Sequence, residues 1–385
     1  MTLAIQTLVS VTMYCGPVMA PAAAPLLGVS PAAVGYFVAA AYIGSMIGTA
    51  TAGGWVARFG PIRVSQAGML LCGCGLAIAA SGALPAVVVG ALLIGLGYGP
   101  ATPASSVILA RAAPPGRLAL TFSIKQTGVP LGTAIAGATV PALVLALGWQ
   151  GAALAIGIAC ALFGVVIFPL SKKYDSDRNR AAPVSLRSAF APVLLVMRHR
   201  RIMLLAATSL VYAGVQITLV AYLVAFLTES FALSLVLAGM VMAASQLASV
   251  AGRILWGAAA DRLLSRRTVL GLLGVGMGVT ALFALDAGPH WPLWVLFVFA
   301  AALGATAVGW NGVFLAELSR LAPPGRIADV TGGSSFFTFL GVVVTPPLFH
   351  FVLNLTSSYG MTYALFGLPA LVVGSLLLLT SHRAR

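Results

Sequence analysis

The first 57 residues, Met1 to Ala57, contain no Asp, Glu, Lys or Arg, and the same holds for Val64 to Ala110 and for Gln126 to Ser171. A helix crosses a hydrocarbon core about 30 Å thick with about 20 apolar residues, and only a bilayer suits stretches of this length. Each of the three is long enough for two crossings. Each also carries helix breakers near its middle: Gly28 to Pro31, Ser81 to Pro85, and Gly148 to Gln150. One further crossing each is expected from Ile202 to Thr228, from Ser230 to Gly252 continuing past Arg253, from Thr268 to Leu285 and from Ala287 to Ala316. Val330 to His382 holds two, broken around Asn354 to Gly360, which brings the expected total to twelve transmembrane helices in an all-α membrane protein. Composition agrees. Of the 385 residues 60% are hydrophobic and 7% charged, against about 25% charge in an ordinary soluble domain.

The few charges are strongly one-sided, 21 Lys and Arg against 7 Asp and Glu. A nucleic-acid surface would need that excess on one solvated face, whereas here it falls in short clusters between neutral stretches, so no nucleic acid is expected. Short loops rich in Lys and Arg stay on the cytoplasmic side. Arg58 and Arg63 follow span 2, Arg111 and Arg117 follow span 4, and eight basic residues lie in 172–201. Arg262, Arg266 and Arg267 follow span 8, Arg320 and Arg326 follow span 10, and Arg383 and Arg385 come last. Nineteen of the 21 cations thus share one side, while the opposite loops carry only Glu229 and Asp286. The expectation is a multi-pass protein of the cytoplasmic membrane with both termini inside. Met1 runs almost directly into span 1 without a basic n-region or a cleavage site, so a retained first helix is expected.

Chemistry other than transport finds little support. Cys15, Cys72, Cys74 and Cys160 fall inside spans, and two residues apart is the wrong spacing to put Cys72 and Cys74 on one helix face. His199, His290, His350 and His382 are too scattered for a metal site. There is no serine–histidine–carboxylate grouping and no phosphate loop. No metal, cofactor or catalytic residue is expected.

The chain repeats. Ala113-Pro114-Pro115-Gly116-Arg117 follows span 4 and Ala322-Pro323-Pro324-Gly325-Arg326 follows span 10, 209 positions later. A proline pair ends a helix, and glycine suits a tight turn. A second echo follows spans 2 and 8, where Gly53 to Arg58 matches Gly257 to Arg262 in the spacing of Gly to Arg. Two six-helix halves are expected, 1–170 and 202–385, joined by a basic linker at 171–201.

Twelve spans in two halves, a long basic central loop and Gly257-Ala258-Ala259-Ala260-Asp261-Arg262 resemble the major facilitator superfamily, whose signature after span 8 is Gly-x-x-x-Asp-Arg. The resemblance covers the whole chain. It implies the major facilitator fold and a secondary transporter whose halves expose a central site to each side in turn. It also implies a latch in which Asp261, with Gly257 and Arg262, faces the start of span 5 near Leu118 to Phe122, where unpaired N–H groups favour an anion. The copy after span 2 keeps Arg58 but has Ala57 where the family usually has Asp. One of two latches is therefore expected to be missing. The competing reading is that both segments are simply polar turns.

Two cations are not explained by the basic face. Lys125 lies eight residues beyond Arg117 and Arg253 eight before Asp261, each about 12 Å along its helix. A cation inside the bilayer costs at least ~2.5–3.5 kcal/mol and is a functional candidate by default. No Asp or Glu lies deep in any predicted span. In the architecture the resemblance implies, spans 5 and 8 are neighbours, so the two cations would meet at similar depth on the substrate path. Arg suits a carboxylate through its planar fork, and Lys adds a point charge. Arg253-Ile254-Leu255-Trp256-Gly257 resembles span 8 of monocarboxylate and oxalate-type carriers, which implies carboxylate binding at Arg253. Lys125-Gln126-Thr127-Gly128-Val129-Pro130 should break span 5 and offer backbone donors near Gln126. Bland roles compete: Lys125 could snorkel to the interface, and Arg253 could bond loop carbonyls or Asp261.

Tyr14, Tyr42, Tyr212, Gln216, Gln246, Trp310 and Asn311 are weaker candidates for the cavity wall, with helix–helix hydrogen bonding or interfacial anchoring as the alternative for each. The run Gly95 to Pro103 reads as a bend in span 4. His350 is the only histidine inside a predicted span and lies toward its outer end, and no span buries a carboxylate, so coupling is expected from the substrate's own proton, from anion exchange, or not at all. The expected function is secondary transport of a small organic anion, foremost a carboxylate, by a monomer in the lipid bilayer. An exporter of lipophilic drugs or metabolites is the alternative, and a non-transporting receptor ranks below both.

Overall fold

A computed structural model of the chain describes residues 1–29, 34–182, 190–288 and 290–381. Arg383, Arg385, Pro31 and part of the 171–201 linker lie outside the described residues. Helices dominate, and no strand occurs among the described residues: α1 Thr2–Leu26, α2 Val34–Phe59, α3 Pro61–Ala79, α4 Leu84–Tyr98, α5 Ala101–Ala112, α6 Leu118–Gln126, α7 Gly128–Val166, α8 Ser171–Tyr174, α9 Ala191–Arg198, α10 Arg200–Phe231, α11 Leu235–Arg262, α12 Arg266–Phe283, α13 Leu293–Ala307, α14 Asn311–Leu321, α15 Ile327–Thr356 and α16 Tyr359–Ser381.

Among the described residues eleven helical stretches are long and apolar enough to cross a bilayer. The longest, Leu118–Tyr174, holds two crossings that meet at Gly148, whose φ of 71° is open to glycine and costly for other residues. Twelve crossings result. The breakers act where the sequence places them. Span 4 is interrupted at Gly99 and Pro100 between α4 and α5, and span 5 at Thr127 between α6 and α7. Span 10 is interrupted at residues 308–310 between α13 and α14.

Both Pro-Pro-Gly-Arg segments form the same turn. Arg117 N–H donates to Pro114 O at 3.1 Å and Arg326 N–H to Pro323 O at 2.9 Å. Gly116 and Gly325 have φ of 72° and 74°. Proline followed by a positive-φ glycine is the signature of a type II turn, so the sequence repeat is a repeat of backbone conformation.

The chain divides into two compact units. The first comprises Met1–Ala112, Lys125–Met203 and Leu321–Phe339, and the second Ala113–Ile124, Leu204–Arg320 and Leu340–Arg385. In the first, α3 and α4 approach so closely at Gly75 and Gly90 that a Cβ on either would stand 2.6 or 2.4 Å from the other's carbonyl oxygen. Small residues permit this approach, which is how membrane helices gain packing energy without a hydrophobic drive. Asp175, just after α8, caps α3 by accepting from Ile62 N–H at 2.8 Å and Arg63 N–H at 3.1 Å. Burial raises the Asp175 carboxyl above its ordinary pKa, and the two N–H bonds and the charges of Arg63 and Arg178 work against that rise. In the second unit α12 packs on α16 through Gly274 and Gly374, where an added Cβ on Gly374 would sit 2.6 Å from Val275 N. Cys15, Cys72, Cys74 and Cys160 are free thiols.

Candidate functional site

Lys125 and Arg253 are both only 2% exposed. Lys125 belongs to the first unit. At the end of α6 its ammonium donates to Gln6 Oε1 at 2.7 Å, Gln126 Oε1 at 2.9 Å and Thr102 Oγ1 at 3.2 Å. Gln6 comes from α1, and Thr102 from the first turn of α5, directly after the break in span 4. Hydrogen bonds from a charged group contribute about 1.5–3 kcal/mol each. Three of them together exceed an insertion cost of about 2.5–3.5 kcal/mol, enough to keep the ammonium buried within the unit. Gln6 is fixed in turn. Its oxygen also accepts from Thr102 Oγ1 at 3.4 Å, and its nitrogen donates to Ser10 Oγ at 3.4 Å.

Arg253 belongs to the second unit. Its Nε donates at 2.9 Å to Val308 O, a carbonyl freed by the break in span 10. Asn311 Nδ2 lies 3.5 Å from the same carbonyl and donates to Gln216 Oε1 at 3.2 Å, while Trp310 Nε1 donates to that same oxygen at 3.1 Å. One network therefore joins Arg253, Val308, Asn311, Gln216 and Trp310. In each unit a span that breaks supplies one of the polar partners of a buried cation, Thr102 beside Lys125 and the Val308 carbonyl beside Arg253.

The other expected residues are placed variously. Tyr14 and Tyr42 share a hydroxyl–hydroxyl bond of 3.1 Å in the first unit. Tyr212 is fully buried, donates to Leu270 O at 2.8 Å and meets the Trp310 ring edge-on at 5.8 Å. Gln246 is half-buried and its amide nitrogen contacts Met242 Sδ at 3.8 Å. His350 is exposed beside Asn354 at 3.3 Å. No cluster of three or more His, Cys, Asp or Glu suited to a metal occurs among the described residues. Gln6, Thr102 and the Val308 carbonyl were not among the sequence candidates. Thr102 and Asn311 nonetheless stand 209 positions apart, the interval of the two proline turns, and Gln6 and Gln216 stand 210 apart.

Asp261 sits at the end of α11 with its side chain 2% exposed. It accepts from Ala119 N–H at 3.0 Å and Leu120 N–H at 2.8 Å, in the first turn of α6, and Arg266 Nη2 lies 3.4 Å away. Gly257 makes room one turn earlier, where a Cβ would stand 2.5 Å from Ser123 Oγ and 3.1 Å from Leu120 Cα. Arg262 and Arg58 are exposed, the latter over the Phe59 ring at 5.6 Å.

The structure is that of a repeated helical membrane protein with one buried cation beside a broken span in each unit. The chain belongs to the Major Facilitator Superfamily, whose family model matches residues 2–346 and 204–385. It is 27% identical over 202 residues to a nitrate/nitrite transporter of Nostoc punctiforme, a match covering 49% of this chain and 38% of that protein. It is 25% identical over 255 residues to an uncharacterized MFS-type transporter of Mycobacterium tuberculosis, covering 66% of this chain and 55% of that one. The chain thus spans about half the length of these curated relatives or less. Among solved structures, the Escherichia coli fucose:proton symporter superposes with a TM-score of 0.77 at 16% identity, covering 100% of this chain and 98% of that one. The human organic anion transporter MFSD10 does so with 0.75 at 15%, covering 98% of each. At such identities the likeness shows the fold alone.

Proposed function

We propose that this transporter moves a small organic anion, foremost a carboxylate, across the cytoplasmic membrane, with Lys125 and Arg253 recognising the charge. The carrying observation is the burial of both cations, each 2% exposed. Gln6, Gln126, Thr102 and the Val308 carbonyl hold the two side chains in place. A fixed positive charge in a low-dielectric medium favours an anion far more than it would in water. The relative named for nitrate and nitrite adds weight on charge class, since a planar nitrate offers oxygens much as a carboxylate does. In this reading the halves 1–170 and 202–385 alternate access, both termini face the cytoplasm, the working unit is a monomer and a proton accompanies the substrate.

Reconstituted protein is tested with Lys125→Gln and Arg253→Gln, measuring uptake of labelled acetate, pyruvate and oxalate with nitrate alongside. Each substitution is expected to raise the apparent KM at least tenfold. Unchanged apparent KM in both removes the reading, and imposed pH and voltage gradients decide the coupling. One observation favours the second reading, an exporter of lipophilic compounds. The first unit carries an open apolar pocket of about 350 Å³ lined by side chains including Met19, Phe37, Leu76, Val87 and Trp149. Drug-stimulated protection from heat with no response to any anion would select that reading.

A further inference from the structure

The orientation of Gln216 can be fixed from its neighbours. An indole N–H donates and never accepts. The Gln216 atom 3.1 Å from Trp310 Nε1 is therefore the amide oxygen, and the two ends of the amide cannot be exchanged. The Asn311 atom 3.2 Å from that oxygen must then be its donor nitrogen, which its 3.5 Å approach to the Val308 carbonyl independently requires. With both donors on the oxygen, the Gln216 NH₂ group points out of the network. Gln216 is half-buried, and its nitrogen has no protein partner among the described residues. Such a group inside a membrane protein is a pair of N–H donors held in a fixed direction by its own oxygen's bonds.

The first unit offers a contrast with nearly the same parts. Gln6 also accepts two donors on its oxygen, but its nitrogen is closed by Ser10. The open amide is specific to the unit that holds Arg253. Arg253 and Asn311 reach the same carbonyl, and Asn311 orients Gln216. Guanidinium and amide are thus positioned by one hydrogen-bond chain.

We propose that the Gln216 carboxamide is an anion-binding group, giving the substrate's oxygens neutral N–H donors beside the charge of Arg253. The inference rests on the anion reading above and names a recognition group within that site. Fixed neutral donors add a directional grip on an anion without adding a further full charge to those of Lys125 and Arg253.

The test is Gln216→Glu, compared with Gln216→Met, in proteoliposomes taking up labelled pyruvate, with acetate and nitrate as further probes. Glutamate keeps an oxygen for Trp310 and Asn311 but adds a negative charge beside Arg253, so the uncharged methionine variant separates the loss of donors from the added charge. A donor role predicts an apparent KM raised at least tenfold with the melting temperature preserved. On lowering the pH, the ratio of variant to wild-type KM should fall toward one, because a protonated carboxyl again carries a donor. Methionine, which has no donor at any pH, should show a raised KM without that recovery. Wild-type KM in the glutamate variant at every pH, or in a stable methionine variant, overturns the proposal. If the wild-type protein takes up none of the three anions, the anion reading fails, and this inference fails with it.

Discussion

The repeat has left two versions of one helix contact. In the second unit α11 meets the start of α6 at Gly257, and Asp261 accepts from the N–H groups of Ala119 and Leu120. In the first unit α2 meets the start of α15 at Gly53, where a Cβ would stand 3.0 Å from Asp329 Cα. Leu120 and Asp329 occupy the same place, each three residues after the arginine of its turn, and Ala57 stands where Asp261 does. The acid has not vanished from the first copy. It sits on the capped helix instead of the capping one, paired with Arg326. A carboxylate within the first turn interacts with the positive end of its own helix, but its hydrogen bond runs to Arg326 on the same segment rather than across the contact. The difference teaches that the cross-helix bond, rather than the charge itself, separates the two copies.

The largest expected effect comes from filling the contact both copies share. Gly257→Val and Gly53→Val push side chains into neighbouring backbone, and overpacking of this kind costs about 1–3 kcal/mol. Melting temperature in detergent is expected to fall clearly for both, and a variant that melts like wild type would show that its contact is looser than the geometry here. Next comes Asp261→Asn, which separates the copies. Asparagine keeps one acceptor but loses the charge and one of two backbone bonds, an expected loss of about 1–2 kcal/mol. Equal melting of Asp261→Asn and wild type would remove the cross-helix bond from the account.

The fold was legible because the bilayer leaves so few choices. Charge-free stretches must be helices, and breakers such as Gly148 and the two Pro-Pro-Gly turns set where they stop. Lys125 and Arg253 stood out for the same reason, as charges in a medium that penalises them. Gln6 and Thr102 did not, because a neutral side chain inside a span usually just bonds a neighbouring helix. The Val308 carbonyl has no residue-level signature at all. A signal was available in the repeat: the 209-residue interval that pairs the turns also pairs Thr102 with Asn311. Asp329 carries no such signal in the sequence, since its closeness to Gly53 depends on how α2 and α15 cross.

The smallest effect is the most informative about the repeat. Ala57→Asp alone returns the missing acid to α2, but it brings a second carboxylate toward Asp329, whose side chain is 17% exposed and already paired with Arg326. Repulsion between the two offsets the new backbone bonds, so little net change in stability is expected. Asp329→Leu alone gives up a partly exposed ion pair, which contributes about 0–1 kcal/mol. Combined, the two substitutions rebuild the Asp261–Leu120 arrangement in the first unit, and the new aspartate can accept from the N–H groups of Ala328 and residue 329 without a rival. The double variant should therefore be more stable than the sum of the singles by about 0.5–1 kcal/mol, within the range seen for contacting residues. Thermal melts of all four proteins measure this coupling, and strict additivity would mean that the two contacts are alike in sequence spacing only.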